Sequence, residues 1–268
     1  MSSLLHNWNM SGNIEQLAKL VIDSSGIVVL TGAGISTESG ISDFRSPGGV
    51  WDRYDPDELN FQSFLSSEES RRTYWKFHRE FYLPMKQSEP NDAHYALVEL
   101  ERMGKLNCII TQNVDNLHQR AGSNPEKIIE LHGTACKVRC LECGANFERD
   151  EIEKRLDKGE EVPRCTLCHG LLKPATVSFG QAMPEKETRE SFEMARACDL
   201  FLVLGSSLVV HPAAYLPVEA MNSGARLAII NLTSTPYDSY ADVVIHAKCG
   251  DAMKKLTGLL KRKSNNSH

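Results

Sequence analysis

The sequence has no long apolar run, no disulfide pattern among its cysteines and no excess of positive charge. No run of 18 apolar residues occurs in its 268 residues, so no bilayer-crossing helix is expected. MSSLLHNWNMSGN, residues 1–13, has no basic stretch leading into a long apolar one. No secretory signal is expected there, and the expected setting is cytoplasmic. Thirty Lys and Arg face 35 Asp and Glu, a formal net charge of −5 with the signs interspersed. This argues against a general nucleic-acid surface, and no specific nucleic-acid partner is expected. No internal repeat is evident.

The eight cysteines do not form a disulfide pattern. Cys108, Cys136, Cys198 and Cys249 are scattered, while Cys140/Cys143 and Cys165/Cys168 make two C-x-x-C pairs with 21 residues between them. Two such turns supply a tetrahedral thiolate set in a reducing compartment. Thiolates select zinc or an iron–sulfur cluster, and the ribbon-like spacing favours zinc. A redox pair is the competing reading, disfavoured because two pairs flank one insert. Four protein ligands leave no open position, so the zinc is expected to be structural. Cys136 and His169 are left outside the ligand set.

Hydrophobic residues make up 41% of the chain, enough for a sizeable core. The organising stretch is GIVVLTGAGISTESGISDFR, residues 26–45. A buried strand, Ile27–Leu30, runs into Gly32-Ala33-Gly34. Closely spaced glycines after a strand let backbone N–H groups approach a phosphate. The third glycine of the dinucleotide fingerprint is missing, and no lone acid closes a second strand about 20 residues on. A nucleotide loop and a tight packing turn both remain open on this motif.

Alternating strands and helices predict a mostly parallel sheet covered on both faces. Ile14, Leu17, Leu20 and Val21 share one face of a helix over 13–25. Residues 35–60 are irregular and broken by SPGG at 46–49, as in a binding loop or lid. Residues 61–83 read as an aromatic helix pair ended by Pro84 and packed on the main domain; lining an apolar channel is the alternative. Asn91 or Asp92 caps a helix over 93–103. Strands are expected at 106–111, 128–131, 176–179, 200–204, 226–231 and 242–245. Helices are expected at 185–197, 212–222 and 250–262. Residues 136–174, with the cysteine pairs, read as a small inserted module.

Four strand ends carry short polar side chains. Gln112, Asn113 and Asp115 follow one, His132 ends another, Ser206 and Ser207 follow Gly205, and Asn231 ends a fourth. Each alone reads as a cap or turn former; repetition across four strands favours a site. His132 alone reads as structural, but its place between a strand and a glycine suits a proton acceptor near neutral pH. Arg45 could meet a phosphate or carboxylate, and Phe44 could cover a heterocycle. These residues indicate a zinc-stapled, nucleotide-using enzyme and do not specify its reaction.

GAGIS at 32–36, SDFR at 42–45, TQNVDNLH at 111–118, ELHG at 130–133, both C-x-x-C pairs, FG at 179–180, GSSLVVHPA at 205–213 and Asn231 fall in one order. That order resembles the sirtuin family of NAD-dependent protein-lysine deacylases, from about residue 13 to 260. The resemblance implies an α/β fold: a large Rossmann-like domain over 13–34, 85–134 and 175–262, with a smaller zinc-ribbon-containing domain inserted. It further implies a cofactor loop at 35–60, a helical part of the small domain at 61–84 and a zinc module at 135–174. A disordered tail is expected at 263–268.

By resemblance, Gly32, Ala33, Gly34, Thr37, Asp43, Phe44 and Arg45 belong to the NAD loop. Gln112, Asn113, Val114 and Asp115 would hold the nicotinamide ribose and amide. Gly205, Ser206, Ser207 and Asn231 would hold phosphates and adenosine, with Cys249 near the adenine. His132 matches the catalytic base, with Asn113 and Asp115 beside the chemistry. Phe179, Gly180 and Val209 would meet an acyl-lysine peptide. NAD would be consumed and one Zn2+ would be structural, in an enzyme expected to be a monomer.

Two positions depart from the family pattern. Ser42 stands where proline is usual, and Gln181 replaces a glutamate after Phe179-Gly180. Members preferring succinyl or malonyl lysine carry Tyr-x-x-Arg on the aromatic helix, where this chain has Trp75 and His78. An uncharged acyl group, acetyl first, is therefore expected. The rival readings are a mono-ADP-ribosyltransferase on the same scaffold and a non-enzymatic zinc-ribbon module.

Overall fold

The computed structural model describes residues 2–43, 54–55 and 57–265. The larger sheet holds β1 (Ile27–Thr31), β2 (Leu106–Thr111), β3 (Ile128–Glu130), β7 (Leu200–Leu204), β8 (Arg226–Ile230) and β9 (Val243–Ile245). A smaller sheet holds β4 (Gly133–Cys140), β5 (Asn146–Glu148) and β6 (Leu172–Thr176). The large sheet is parallel throughout, in the order β3-β2-β1-β7-β8-β9. The small one is antiparallel, in the order β5-β4-β6.

Every residue of β1 and β7 is buried, as a strand covered on both faces requires. Ile27 and Val29 face α1 (Ser2–Asp23), α4 (Asp92–Arg102) and α9 (Cys249–Asn265). Val28 and Leu30 face α7 (Glu185–Ala197) and α8 (Leu216–Asn222). The period of two along each strand thus feeds two separate cores. Ile14, Leu17 and Val21 are buried in the first core, with Leu20 packed at its margin. Asn91 caps α4: its side chain accepts the Ala93 N–H at 3.0 Å, while His94 Nδ1 accepts the Asn91 N–H at 3.3 Å.

Several expected elements are corrected. α1 begins at Ser2, well before residue 13. Pro84 does not end the aromatic segment. It lies in the last turn of α3 (Glu68–Gln87), where only one intrahelical bond is forfeited near the end. α2 (Phe61–Ser66) and α3 pack mainly on the small sheet, not on the main domain. Trp75 joins Val138, Cys140, Ile152, Leu156, Cys165 and Leu172 in one cluster. The end of α3, with Tyr82 and Met85, also touches Val114 of the large domain.

The expected strand 176–179 is instead Leu172–Thr176, and it belongs to the small sheet because its edge pairs with β4. α9 continues through Asn265, so 263–265 are helical; the rest of the expected tail lies outside the described residues. So do Phe44, Arg45 and the SPGG segment. No helix among the described residues is long and apolar enough to cross a membrane.

The strand order turns between β1 and β7, and there the two backbones interlock. Gly34 N–H donates to the Gly205 carbonyl at 2.8 Å, and Gly32 N–H to that of Leu204 at 3.0 Å. A Cβ on Gly34 would lie 2.8 Å from the Gly205 Cα. Gly205 itself holds φ +64. Gly205→Ala is expected to destabilise the fold by about 2 kcal/mol or more, through left-handed strain and overpacking. Chemical denaturation of the two proteins measures this, and an unchanged midpoint contradicts the interlock.

Candidate active site

The turning point of a parallel sheet opens a crevice at the strand C-termini. β1, β2 and β7 deliver the polar residues there. Gln112 Nε2 donates to Ser206 Oγ at 2.9 Å, tying the end of β2 to that of β7 across β1. Asn113 Nδ2 donates to the Gly32 carbonyl and to Ser36 Oγ, each at 3.1 Å. Ser36 Oγ donates its own proton to Asp115 Oδ2 at 2.7 Å. Leu117 N–H caps the other carboxylate oxygen at 3.0 Å. Burial raises the Asp115 pKa, while the Leu117 N–H and the Ser36 hydroxyl oppose that rise.

His132 lies where the chain leaves β3 for β4. Its Nδ1 is 3.0 Å from the Gln112 carbonyl oxygen. A carbonyl only accepts, so Nδ1 carries the proton and Nε2 keeps its lone pair. Burial lowers the His132 pKa, and the Gln112 carbonyl partly restores it. The result is a neutral imidazole near pH 7 with its acceptor nitrogen defined.

A second polar layer lies behind the crevice. Thr31 Oγ1 donates to Thr111 Oγ1 at 2.8 Å and meets His118 Nε2 at 3.0 Å. Thr111 Oγ1 also accepts the Asn113 N–H at 3.0 Å. The His94 and His118 rings lie 5.0 Å apart, both fully buried. Burial drives their pKa values down to about 4 and about 3.

The other expected residues fall at the rim. Thr37 Oγ1 donates to the Gly34 carbonyl. Ala33 and Ser207 are half-buried, as is Val114, whose carbonyl accepts the Ala135 N–H. Asp43 is half-buried at the margin of the described loop. Asn231 Nδ2 turns back onto the Thr233 carbonyl at 2.8 Å. Cys249 is buried at the start of α9, its thiol pushed up to about 12 by burial. Phe179 and Val209 are exposed, and Gly180 holds φ +73. Val209 lies outside any strand.

Away from the crevice, the Sγ atoms of Cys140, Cys143, Cys165 and Cys168 lie within 4.8 Å of one another. Cys140 and Cys168 are 3.5 Å apart, and Cys143 and Cys165 are 3.7 Å apart. Tetrahedral zinc with bonds of about 2.3 Å places sulfurs roughly 3.8 Å apart, so the cluster fits that ion. Cys136 and His169 are not part of it.

A model of the Sir2 family matches residues 32–212. The chain belongs to the Sir2, or sirtuin, family. A relative from Bradyrhizobium diazoefficiens, NAD-dependent protein deacetylase 1, is 43% identical over 250 residues, spanning 93% of this chain and 97% of that one. A solved Sir2 with p53 peptide and NAD+ has a TM-score of 0.84 at 38% identity, covering 91% of this chain and 97% of that chain. Sir2Tm bound to a propionylated peptide has a TM-score of 0.83 at 37% identity, with coverage of 91% and 97%.

Within this sirtuin, sequence reasoning passed over residues that the network needs. Ser36 bridges Asn113 and Asp115, and its only signal was its place in GAGIS. Glu38 accepts the Gly250 N–H at 2.6 Å, fastening the first loop to the start of α9. Asn91 Nδ2 donates to the Ile35 carbonyl at 2.7 Å. Nothing in the sequence links such distant positions. Gln181, which departs from the family pattern, closes its own turn: Oε1 accepts the Ser178 N–H at 3.2 Å.

Two outcomes follow from this geometry. An unfolded histidine titrates near pH 6.5, whereas His94 and His118 stay neutral in the fold to about pH 4 and about 3. Their contribution to stability is whole above about pH 6.5 and falls with pH below it, by on the order of 3 kcal/mol for His94 at pH 4. Unfolding free energy measured from pH 7.5 down to 5 should therefore already decline; a flat profile contradicts neutral burial. Stripping zinc with a chelator should melt the small sheet, seen as lost near-ultraviolet dichroism from Trp75, because the ion ties both cysteine turns together.

Proposed function

We propose that this sirtuin transfers acetyl, or another uncharged acyl group, from protein lysine side chains to the ADP-ribose of NAD, releasing nicotinamide and free lysine. Family membership places the chain in the NAD-dependent deacetylase and deacylase class. The observation that carries the reading is the His132 tautomer, with Nδ1–H on the Gln112 carbonyl and Nε2 left as acceptor.

NAD supplies a glycosidic bond whose cleavage opens the ribose carbon to the acyl oxygen. The residues present suit it. Glycine backbones pack directly on one another where β1 meets β7, and hydroxyl and amide groups gather at the strand ends above them. Gly32, Ala33, Gly34, Thr37, Gly205, Ser206, Ser207 and Asn231 would hold phosphates and adenosine, with Cys249 walling the adenine. Gln112, Asn113, Val114 and Asp115 would hold the nicotinamide ribose and its amide. Ser36 orients both Asn113 and Asp115 for that task. Asp43, Phe44 and Arg45 would contact the dinucleotide. His132 Nε2 would take a proton from a ribose hydroxyl, and Phe179, Gly180 and Val209 would flank the peptide.

The acyl preference rests on α3. Trp75 is buried in the small-domain core. His78 is held neutral by burial and by the charges of Lys173 and Arg149. Arg149 (1% exposed) is committed to Glu153 and lies over the Trp75 and Tyr82 rings. Among the described residues, no arginine on this helix face is placed to fork onto an acyl carboxylate. The reading keeps a monomer in a reducing, cytoplasmic setting, where the four cysteines of the cluster stay reduced to hold a metal.

Acetyl and propionyl peptides should turn over at least about tenfold faster than succinyl peptide, a gap of about 1.4 kcal/mol. Faster succinyl cleavage would sink the preference. His132→Ala should lower acyl-peptide turnover by about 10²- to 10⁴-fold. Nicotinamide release that is independent of acyl peptide would favour ADP-ribosyl transfer to another acceptor. Because burial lowers the His132 pKa, wild-type turnover should be steady at pH 7 and fall on the acid side, below about pH 6.5.

A further inference from the structure

Lys173 is an unexpected occupant of the small sheet. It lies on β6 with 1% of its surface exposed. Its neighbours along the strand, Leu172 and Pro174, are ordinary core residues. Burying an ammonium forfeits its hydration, so its hydrogen bonds must be chosen well. They go to main-chain oxygens: Nζ donates to the Thr176 carbonyl at 2.6 Å and to the Pro174 carbonyl at 3.4 Å.

Those carbonyls begin the segment that runs from the small sheet back past His132. Thr176 pairs with Gly133, the residue after His132. Val177 N–H donates to the His132 carbonyl at 2.9 Å. Ser178 Oγ meets the Tyr74 hydroxyl at 2.7 Å, and the Phe179 carbonyl accepts the Phe61 N–H at 2.9 Å. Thr176, Val177, Ser178 and Phe179 are thus each held by a separate hydrogen bond, and Lys173, on the same strand as Thr176, holds the first.

We propose that Lys173 is a positioning residue for the acyl-peptide substrate: its ammonium sets the 176–180 turn against His132. This rests on the reading that Phe179 and Gly180 flank the peptide. The groups facing it leave it as the titrating member. From α3, the Tyr74 ring lies 5.4 Å from Nζ, with His78 stacked on that ring at 4.3 Å. Burial pushes the Tyr74 pKa up to about 12 and holds that of His78 well below its ordinary value, so both are neutral. From α6 (Arg149–Asp157), the Arg149 charge is matched by Glu153 at 2.6 Å. On β4 the partner in register, Arg139, is exposed. Burial lowers the Lys173 pKa to about 7. Rising pH therefore weakens its hold on Thr176, while His132 governs the acid side.

The test measures KM for acetyl peptide and for NAD from about pH 6 to 9 in wild type, Lys173→Met and Lys173→Arg. Zinc content and thermal midpoint are followed alongside. Lys173→Met should raise peptide KM about tenfold or more and leave NAD KM within about twofold. Lys173→Arg, charged throughout, should keep peptide KM near the wild-type value at pH 7 and abolish its rise above pH 7. An unchanged peptide KM in Lys173→Met overturns the inference. So does a joint shift of both KM values and the midpoint in both variants, which marks a scaffold residue. Should Lys173→Met fail to fold, the Lys173→Arg profile decides, and an alkaline limb equal to wild type overturns the inference. A wild type without NAD-dependent turnover overturns the proposed function and this inference with it. Wild-type turnover with unmoved variants overturns this inference alone.

Discussion

The close meeting of β1 and β7 is the contact on which the rest of the molecule depends. Parallel strands that diverge to opposite halves of a sheet leave a gap at their C-terminal ends. Here the gap is closed at its base by backbone alone, with Gly34 N–H on the Gly205 carbonyl at 2.8 Å. Side chains are excluded at that depth by contact distance. The groups left to line the crevice are those that neighbouring strand ends push into it. Gln112 reaches across β1 to Ser206, and Asn113 reaches to the Gly32 carbonyl, because β2, β1 and β7 lie side by side in register.

Polar groups so close to a sheet core must be partnered or neutral. Both solutions are used. Asp115 is partnered, taking one N–H and one hydroxyl, the latter already bonded to Asn113. His118 supports Thr31 and Thr111 as a neutral ring, adding hydrogen bonding without a charge to bury. The Asn113 N–H rests on that second layer, so the crevice inherits its geometry from residues that no ligand would touch.

His132 occupies the junction of the two domains. The chain passes from large to small sheet at His132-Gly133 and returns through Thr176-Val177, and the two passes are bonded to each other. A closed set of four cysteines has no coordination position to offer a substrate, yet it fixes the turns that β4 and β6 connect. α3 adds the second support, with Trp75 in the same core as Cys140 and Cys165. The position of His132 therefore depends, through β4 and β6, on the cysteine cluster at the far end of the small sheet.

Much of this was legible along the chain. The parallel sheet, most strand limits and the four-cysteine cluster follow from local signals: apolar runs of strand length, and two C-x-x-C turns. The polar strand ends and His132 could also be read, because a parallel sheet puts every strand's C-terminus on one edge. Three things could not. The glycines of the first loop fitted either a phosphate approach or a packing turn, and only the contact with Gly205 showed that packing requires them. Thr176 was assigned to the wrong sheet because an apolar strand carries no mark of its partner; pairing with β4 decided it. Ser36, Glu38 and Lys173 gave no signal. Their roles lie in bonds to Asp115, Gly250 and Thr176, and the first two of these partners are distant in sequence. Local propensity and spacing determined the elements and the ligand set. The tautomer of His132, the partners of the buried charges and the docking of α3 were decided by tertiary contacts, because each depends on which groups meet across the fold.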